Sequence, residues 1–264
     1  MRFEGPLNKM MSTPGEPVRY AMELGADLVV VNRWIEKELQ LDYQGYIVCS
    51  CGKIVDRVFR QNFCYQCFMT KPEAGDFVLR PELSKAHLGI AERDWAFEQA
   101  YQLQPHVVYL ANSGGLKVGV TRRAQIPTRW IDQGASAAIV LAEVPNRYLA
   151  GVIEVALKPH MSDKTVVKKM LSGIDDPIDL TVEKHKALAL LPAELQAYAS
   201  PDPTVTTLSF PAPEGYVHRK SLNPEKDFPI RAALLGIRGQ YWLFSNGLAL
   251  NVRSYEGRVV GVEV

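Results

Sequence analysis

All four cysteines of this 264-residue chain stand between Cys49 and Cys67, in CSCGKIVDRVFRQNFCYQC, and no other feature limits the fold as strongly. The pattern is Cys49-x-Cys51, twelve intervening residues, then Cys64-x2-Cys67. Disulfides that staple a domain spread their cysteines along the chain, whereas a local quartet suits a single metal ion. Tetrahedral Zn²⁺ takes four soft ligands at about 2.3 Å, and two short cysteine-bearing turns joined by a hairpin supply them. Gly52 and Lys53 suit the tight first turn. A filled four-cysteine site leaves no position for water, so the expected zinc is structural rather than catalytic. Four free buried thiols are the alternative reading of the same residues.

Strand character surrounds this knuckle. Before it, PVRYAMEL, ADLVVVN and KELQLDYQGYIV set β-branched and aromatic residues between Gly, Asn and Asp breakers. At the other end, IRAALLGIRG, QYWLF, LALNVRSY and RVVGVEV do the same, with Asn246-Gly247 and Glu256-Gly257 as turns. VVVNRWIEKELQLDYQG and LALNVRSYEGRVVGVEV share a loose strand pattern, which suggests one joint β-module. After Cys67 the chain reads as an irregular connector with short ordered pieces to Gly89, and Ala91 to Gln104 fits a helix stopped by Pro105.

The middle alternates strands and helices. VVYLA, an NSGG turn and LKVGVT form a hairpin; PTRWIDQ starts a short helix; AAIVLAEV is a strand; NRYLAGVIEVALKPH is a long helix with Asn146 as N-cap. Further helices are expected at Asp163 to Leu171 and Thr181 to Ala199. The expected class is therefore α+β: a β-rich region with a zinc knuckle or ribbon (1–90), a central α/β domain with a small antiparallel sheet flanked by helices (91–200), and a β-rich C-terminal module (201–264).

Alternation puts Val108 and Leu110 on one hairpin face with Val118 and Val120. Tyr109, Lys117, Gly119 and Thr121 take the other, and Gly119 leaves a gap where a ligand can approach the backbone. Arg122, Arg123 and Arg129 follow. On the long helix Leu149, Val152, Ile153, Ala156 and Leu157 form an apolar stripe, and Arg147, Glu154 and Lys158 lie roughly opposite. Alone, those three read as an ordinary i,i+4 surface arrangement. Tyr109 alone reads equally as a strand tyrosine with its hydroxyl at the surface.

The order of these parts resembles the GIY-YIG nuclease superfamily over about Val107 to His160. VVY (Val107 to Tyr109) stands for its first motif, KVG (Lys117 to Gly119) for its second, Arg129 for its arginine and Glu154 for its metal-binding glutamate. The resemblance implies Mg²⁺-dependent phosphodiester hydrolysis, with Glu154 holding Mg²⁺, Tyr109 as base or its orienter, and Arg129 stabilising charge on the phosphate. Lys117, Gly119, Thr121, Arg122, Arg123 and Lys158 would bind phosphate. Two positions depart from the family: Lys117 replaces the second motif's tyrosine, and Gln133 stands four residues after the arginine. A lysine cannot replace the phenol, although it binds phosphate as a point charge. The whole chain also resembles a conserved prokaryotic family of unknown function with such a core.

Charge agrees with a polyanionic ligand locally and not globally. The net charge is +1, yet nine Lys and Arg face four acids between His106 and Met170, leaving the remainder net acidic. Nucleic acid, DNA or RNA, is the expected partner. A binding module that has lost catalysis, and an enzyme acting on a small phosphate ligand, are the other readings. MRFEGPLNKMM lacks the apolar core of a signal peptide and there is no long apolar run, so a cytoplasmic protein with no membrane partner is expected. The five histidines form no metal-type i,i+4 pair, and NSGGLKVG lacks P-loop spacing.

Overall fold

The computed structural model describes residues 1–161 and 165–264. Its largest sheet interleaves the two ends of the chain. The strands run Arg2–Pro6, Arg258–Glu263, Glu38–Val48, Ile230–Arg238, Tyr241–Phe244, Leu248–Asn251 and Lys220–Ser221 in order across it, with Ile54–Val55 paired to the end of Glu38–Val48. Pairing is antiparallel except between Lys220–Ser221 and Leu248–Asn251. A smaller sheet, Met11–Thr13, Arg19–Leu24 and Asp27–Val30, shares its core. Trp34 and Trp242 meet edge to face at 5.7 Å there, beside Tyr20, Met22, Phe244 and Val262. Aromatic pairs of this geometry add stabilisation beyond the area they bury.

The loose repeat has a structural counterpart. Asp27–Val30 runs into a 3-10 turn, Val31–Trp34, and then Glu38–Val48; Leu248–Asn251 runs into Val252–Tyr255 and then Arg258–Glu263. The last strand of each repeat pairs antiparallel with that of the other.

The middle sheet has the order Val205–Thr207, Ala137–Val144, His106–Asn112, Leu116–Arg122, all antiparallel. Helices Arg147–Leu157 and Leu180–Ala189 cover one face, burying Val108, Leu110, Val118, Ile139 and Ile153. The short helix Thr128–Asp132 covers the other, where Tyr109 packs against Trp130 at 6.0 Å. His106–Asn112 is thus buried along its whole length. The face that alternation assigns to polar residues is a second, smaller core.

Several element boundaries move for identifiable reasons. The helix expected from Ala91 begins at Trp95, because Asp94 accepts the Phe97 N–H at 2.8 Å and buried Glu98 accepts the N–H groups of Glu92, Arg93 and Asp94. Asn146 caps the long helix as expected, accepting from Leu149 N–H at 2.9 Å. That helix ends at Leu157 rather than at His160. Thr181 to Ala199 divides into Leu180–Ala189 and Ala193–Gln196 around Pro192, which has no N–H to continue the ladder. The helix expected from Asp163 is observed as Val167–Ser172, and its expected start lies outside the described residues. Among the described residues, no helix is long and apolar enough to cross a membrane.

Within the middle sheet, fully buried His106 donates from Nδ1 to the Gln104 carbonyl at 2.7 Å, and its Nε2 has no hydrogen-bond partner among the described residues. Burial, with the positive charges of Arg147 and Arg122, pulls its pKa down to about 4 against the opposing Gln104 bond. The unfolded chain takes up this proton near pH 6.5 and the folded chain does not, so the neutral form's contribution is complete above that value. It is lost as pH falls towards 4, by about 3 kcal/mol over the window. Urea midpoints at pH 7.5 and pH 4.5 should differ less for His106→Asn than for wild type. An identical acid sensitivity in the two proteins would rule out His106 as a contributor.

Candidate functional site

A cavity of about 470 Å³ opens along the outer edge of the Leu116–Arg122 strand. Tyr109, Lys117, Gly119, Thr121, Arg122, Arg129 and Glu154 all line it. They come from two strands of the hairpin, the short helix and the long helix, so the ordered set read from the sequence meets at one place. Arg123 and Lys158 are not among the lining residues. Arg123 pairs with Glu143 on the surface, and Lys158 lies 3.8 Å from Glu154, one helical turn away.

Tyr109 is buried, so the surface-hydroxyl reading is corrected. It sits directly opposite Gly119 in the ladder, and a Cβ at Gly119 would come within 2.6 Å of the phenol oxygen. The gap expected to admit a ligand is therefore the space in which the Tyr109 ring lies, although Gly119 still borders the cavity. The phenol oxygen accepts from Gln133 Nε2 at 2.9 Å and is hydrogen-bonded to Arg129. Burial raises its pKa above the ordinary tyrosine value, against the opposing effects of Arg129 and Gln133. At neutral pH the phenol is protonated. With donors already on its oxygen, it offers its own proton as a hydrogen-bond donor at the cavity.

Glu154 projects from the polar side of the long helix with its side chain 12% exposed. That side is not solvated. Arg147, one face with Glu154, is buried, and donates to the carbonyls of Phe77 and Val78 at 2.7 Å each. Gly151 lies between them, and a Cβ there would meet the backbone N of Glu82 at 2.2 Å. The short ordered pieces expected in the connector are helical turns, two of them opened by Pro72 and Pro81, and the connector is seated on the helix backbone as one wall of the cavity.

Several lining residues are not legible as site residues in the sequence. The Tyr101 ring lies between two guanidinium groups, Arg122 at 4.8 Å and Arg147 at 5.2 Å. Arg253 and Glu256 arrive from the turn between Leu248–Asn251 and Arg258–Glu263, and Gln61 and Phe63 from the cysteine hairpin. For Arg147 the signal was its shared helix side with Glu154; Tyr101 lies close to Tyr109 in the chain but nothing in its helix marks it, and the others lie far away. Burial raises the Glu256 carboxyl pKa, opposed by Arg253 and Lys9.

Cys49, Cys51, Cys64 and Cys67 gather with their sulfur atoms within 4.8 Å of one another. Cys51 Sγ and Cys64 Sγ are 3.9 Å apart, close to the edge of about 3.8 Å in a tetrahedron with 2.3 Å metal–sulfur arms. No disulfide joins them. Burial opposes ionisation of Cys49, but the backbone N–H groups of Cys64 and Cys51 and the neighbouring thiols outweigh it and bring the group down to about 6. Burial and the same neighbours push Cys67 up to about 12. The donor set fits one soft divalent cation, whose charge would let all four sulfurs ionise, and is consistent with structural zinc.

Neither curated proteins nor solved structures give a match to the chain. A family profile does, over residues 36–260, which spans the cysteine cluster, the cavity and most of the C-terminal β region but begins after the first four strands, and the chain therefore belongs to the DUF2797 family, described as proteins of unknown function.

Proposed function

We propose that the central cavity binds the phosphodiester backbone of nucleic acid and hydrolyses it with a Mg²⁺ ion on Glu154, while the four cysteines hold a structural Zn²⁺. The observation that carries this reading is the meeting of Tyr109, Lys117, Arg129 and Glu154 on one cavity; their order along the sequence resembles that of the GIY-YIG motifs. Mg²⁺ is commonly held by one or two carboxylates together with substrate phosphates, and Glu154 supplies an oxygen donor of that kind. When bound, such an ion polarises the scissile phosphate and stabilises the leaving oxygen.

The chain's own groups do the rest. Arg129 is fixed against the Tyr109 phenol and presents a charged donor to a phosphate oxygen. The protonated phenol adds a second donor and positions an attacking water. Lys117, beside Thr165 Oγ1 at 3.3 Å, contributes a point charge at the cavity mouth. Arg122, held on Tyr101, extends the cationic wall.

The test is cleavage of labelled single- and double-stranded DNA and RNA with Mg²⁺. Glu154→Gln should lower the rate by about 100-fold or more, in keeping with the loss of one principal transition-state contact. Equal rates for wild type and variant would falsify the role given to Glu154. A second reading, binding without cleavage, is favoured by Lys117 at the place of the second tyrosine and by the raised pKa of Tyr109. It predicts no turnover, with affinity that weakens steeply as salt rises.

A further inference from the structure

We propose that the outer face of the cysteine hairpin is a docking surface for the unpaired bases of single-stranded nucleic acid, an inference that rests on reading the cavity beside it as a phosphodiester site. Phe59, Tyr65 and Phe68 form one aromatic cluster: Phe59 and Tyr65 lie 5.2 Å apart, and Phe59 and Phe68 stack at 6.1 Å. Tyr65 is 61% exposed and Phe59 38%, although both belong to a segment ordered by the buried sulfurs of Cys49, Cys64 and Cys67. A contiguous group of solvent-facing rings rimmed by polar residues points to an interaction site, as singly exposed apolar side chains do not.

Charge selects the occupant. Lys53, Arg57, Arg60 and Lys71 face a single acid, Asp56, over this hairpin. Set against Asp56 and the negative charge of a zinc tetrathiolate centre, these cations leave the hairpin as a whole slightly positive. Arg57 also lies over the Phe59 ring at 6.0 Å, so a ring and a guanidinium are presented together. That pairing fits a base on the ring and a phosphate on the cation. A duplex keeps its bases stacked inside the helix and cannot use such rings.

Position connects the face to the cavity. The Phe59 N–H donates to the Phe63 carbonyl at 2.7 Å, and Phe63 and Gln61 line the cavity that holds Arg129 and Glu154. Gln61 and Asn62, between them, both take left-handed backbone conformations, with φ of 59° and 62°. Such geometry is uncommon for these residue types, least so for Asn, and here it turns the chain from the outer face to the cavity wall. Gln61 also borders two neighbouring hollows of about 390 and 310 Å³ that share Glu256 with the central one. The three rings line none of these hollows, so a strand stacked on the rings would cross the Gln61–Asn62 turn to reach them.

The test is fluorescence anisotropy with the zinc-loaded full chain, using a labelled twenty-nucleotide oligo(dT), the equivalent oligo(U) and a blunt duplex. Zinc content and sedimentation are measured on every protein. Wild type should bind a single strand more tightly than the duplex. Tyr65→Ala and Phe59→Ala should each weaken single-strand binding by about 10-fold with zinc retained, while Tyr65→Trp keeps it. Wild-type affinity in Tyr65→Ala, with weakened binding in Arg129→Ala, would remove the docking face and leave the cavity reading intact. If wild type binds none of the three probes, both readings go. Loss of self-association in Tyr65→Ala, without loss of oligonucleotide affinity, would assign the rings to a second copy of the chain and overturn the proposal.

Discussion

Removing zinc with a strong chelator should open residues 49–71 to trypsin at Lys53, Arg57 and Arg60 and weaken the central cavity at the same time. The local effect should be large, because a structural Zn²⁺ on four thiolates contributes on the order of 10–16 kcal/mol of apparent binding energy, and the apo hairpin has little else to hold it. Its apolar cluster is small, consisting of the cysteines with Val55 and Phe63. The consequences extend outwards through polar contacts. Arg93 donates to the carbonyls of Phe68 and Lys71 at 2.8 and 2.6 Å, and Arg258 donates to Asn62 at 2.7 Å. Cys64→Ser, which removes a buried ligand, should reproduce the chelator's proteolysis pattern, and metal analysis should give one zinc per wild-type chain. A purified wild-type protein free of zinc and equally resistant to protease with or without chelator would end the structural-metal assignment.

Gly151→Ala should lower the melting temperature, against the usual gain from replacing glycine in a helix. Alanine at an unobstructed helix position stabilises by about 1 kcal/mol. Here the added Cβ would stand 2.2 Å from the backbone N of Glu82 and 2.5 Å from the Pro81 carbonyl carbon. Backbone on both sides cannot yield as a side-chain tip does, so the Pro81–Leu83 turn must lift from the helix. Lifting it strains the hydrogen bonds from Arg147 to Phe77 and Val78, which hold a buried guanidinium. Overpacking of this kind costs about 1–3 kcal/mol or more, and a net loss of about 2 kcal/mol corresponds to a drop of about 4–8 °C in a chain of this size. The sign is the decisive reading in calorimetry. A higher melting temperature in Gly151→Ala would mean that the connector is not seated on the helix.

These two sites also show where sequence reading reaches and where it stops. The cysteine spacing is a local signal and led directly to the cluster. Asn146 as a cap, the Asn246-Gly247 turn and the alternating strands are local as well, and each strand run contains an observed strand. Tyr109, Arg129 and Glu154 could be named because their order along the chain resembles that of the GIY-YIG motifs. The connector's role could not be read, since nothing within Pro72 to Leu83 records that a glycine some seventy residues later accepts it. Tyr109 was misplaced for a related reason: alternation distinguishes two faces of a strand but does not reveal that Trp130 covers the second. Arg253 and Glu256 enter the cavity through sheet pairing across most of the chain.

That same pairing sets an order of events during synthesis. Glu38–Val48 is made early, yet its neighbours on either side are Ile230–Arg238 and Arg258–Glu263, about 190 and 220 residues later. Contacts this distant form slowly, because a long loop must close before they are rewarded. The cysteine hairpin and the middle sheet depend on nearby residues and can organise first. Throughout that interval Glu38–Val48 has only the short Ile54–Val55 pairing at its end and lacks both long ladder partners, an arrangement that invites pairing with other chains. The newly made protein therefore passes through a stage in which its middle sheet can form while its β-module is still an open template and Arg253 and Glu256 have yet to reach the cavity, and chaperone demand should be concentrated there.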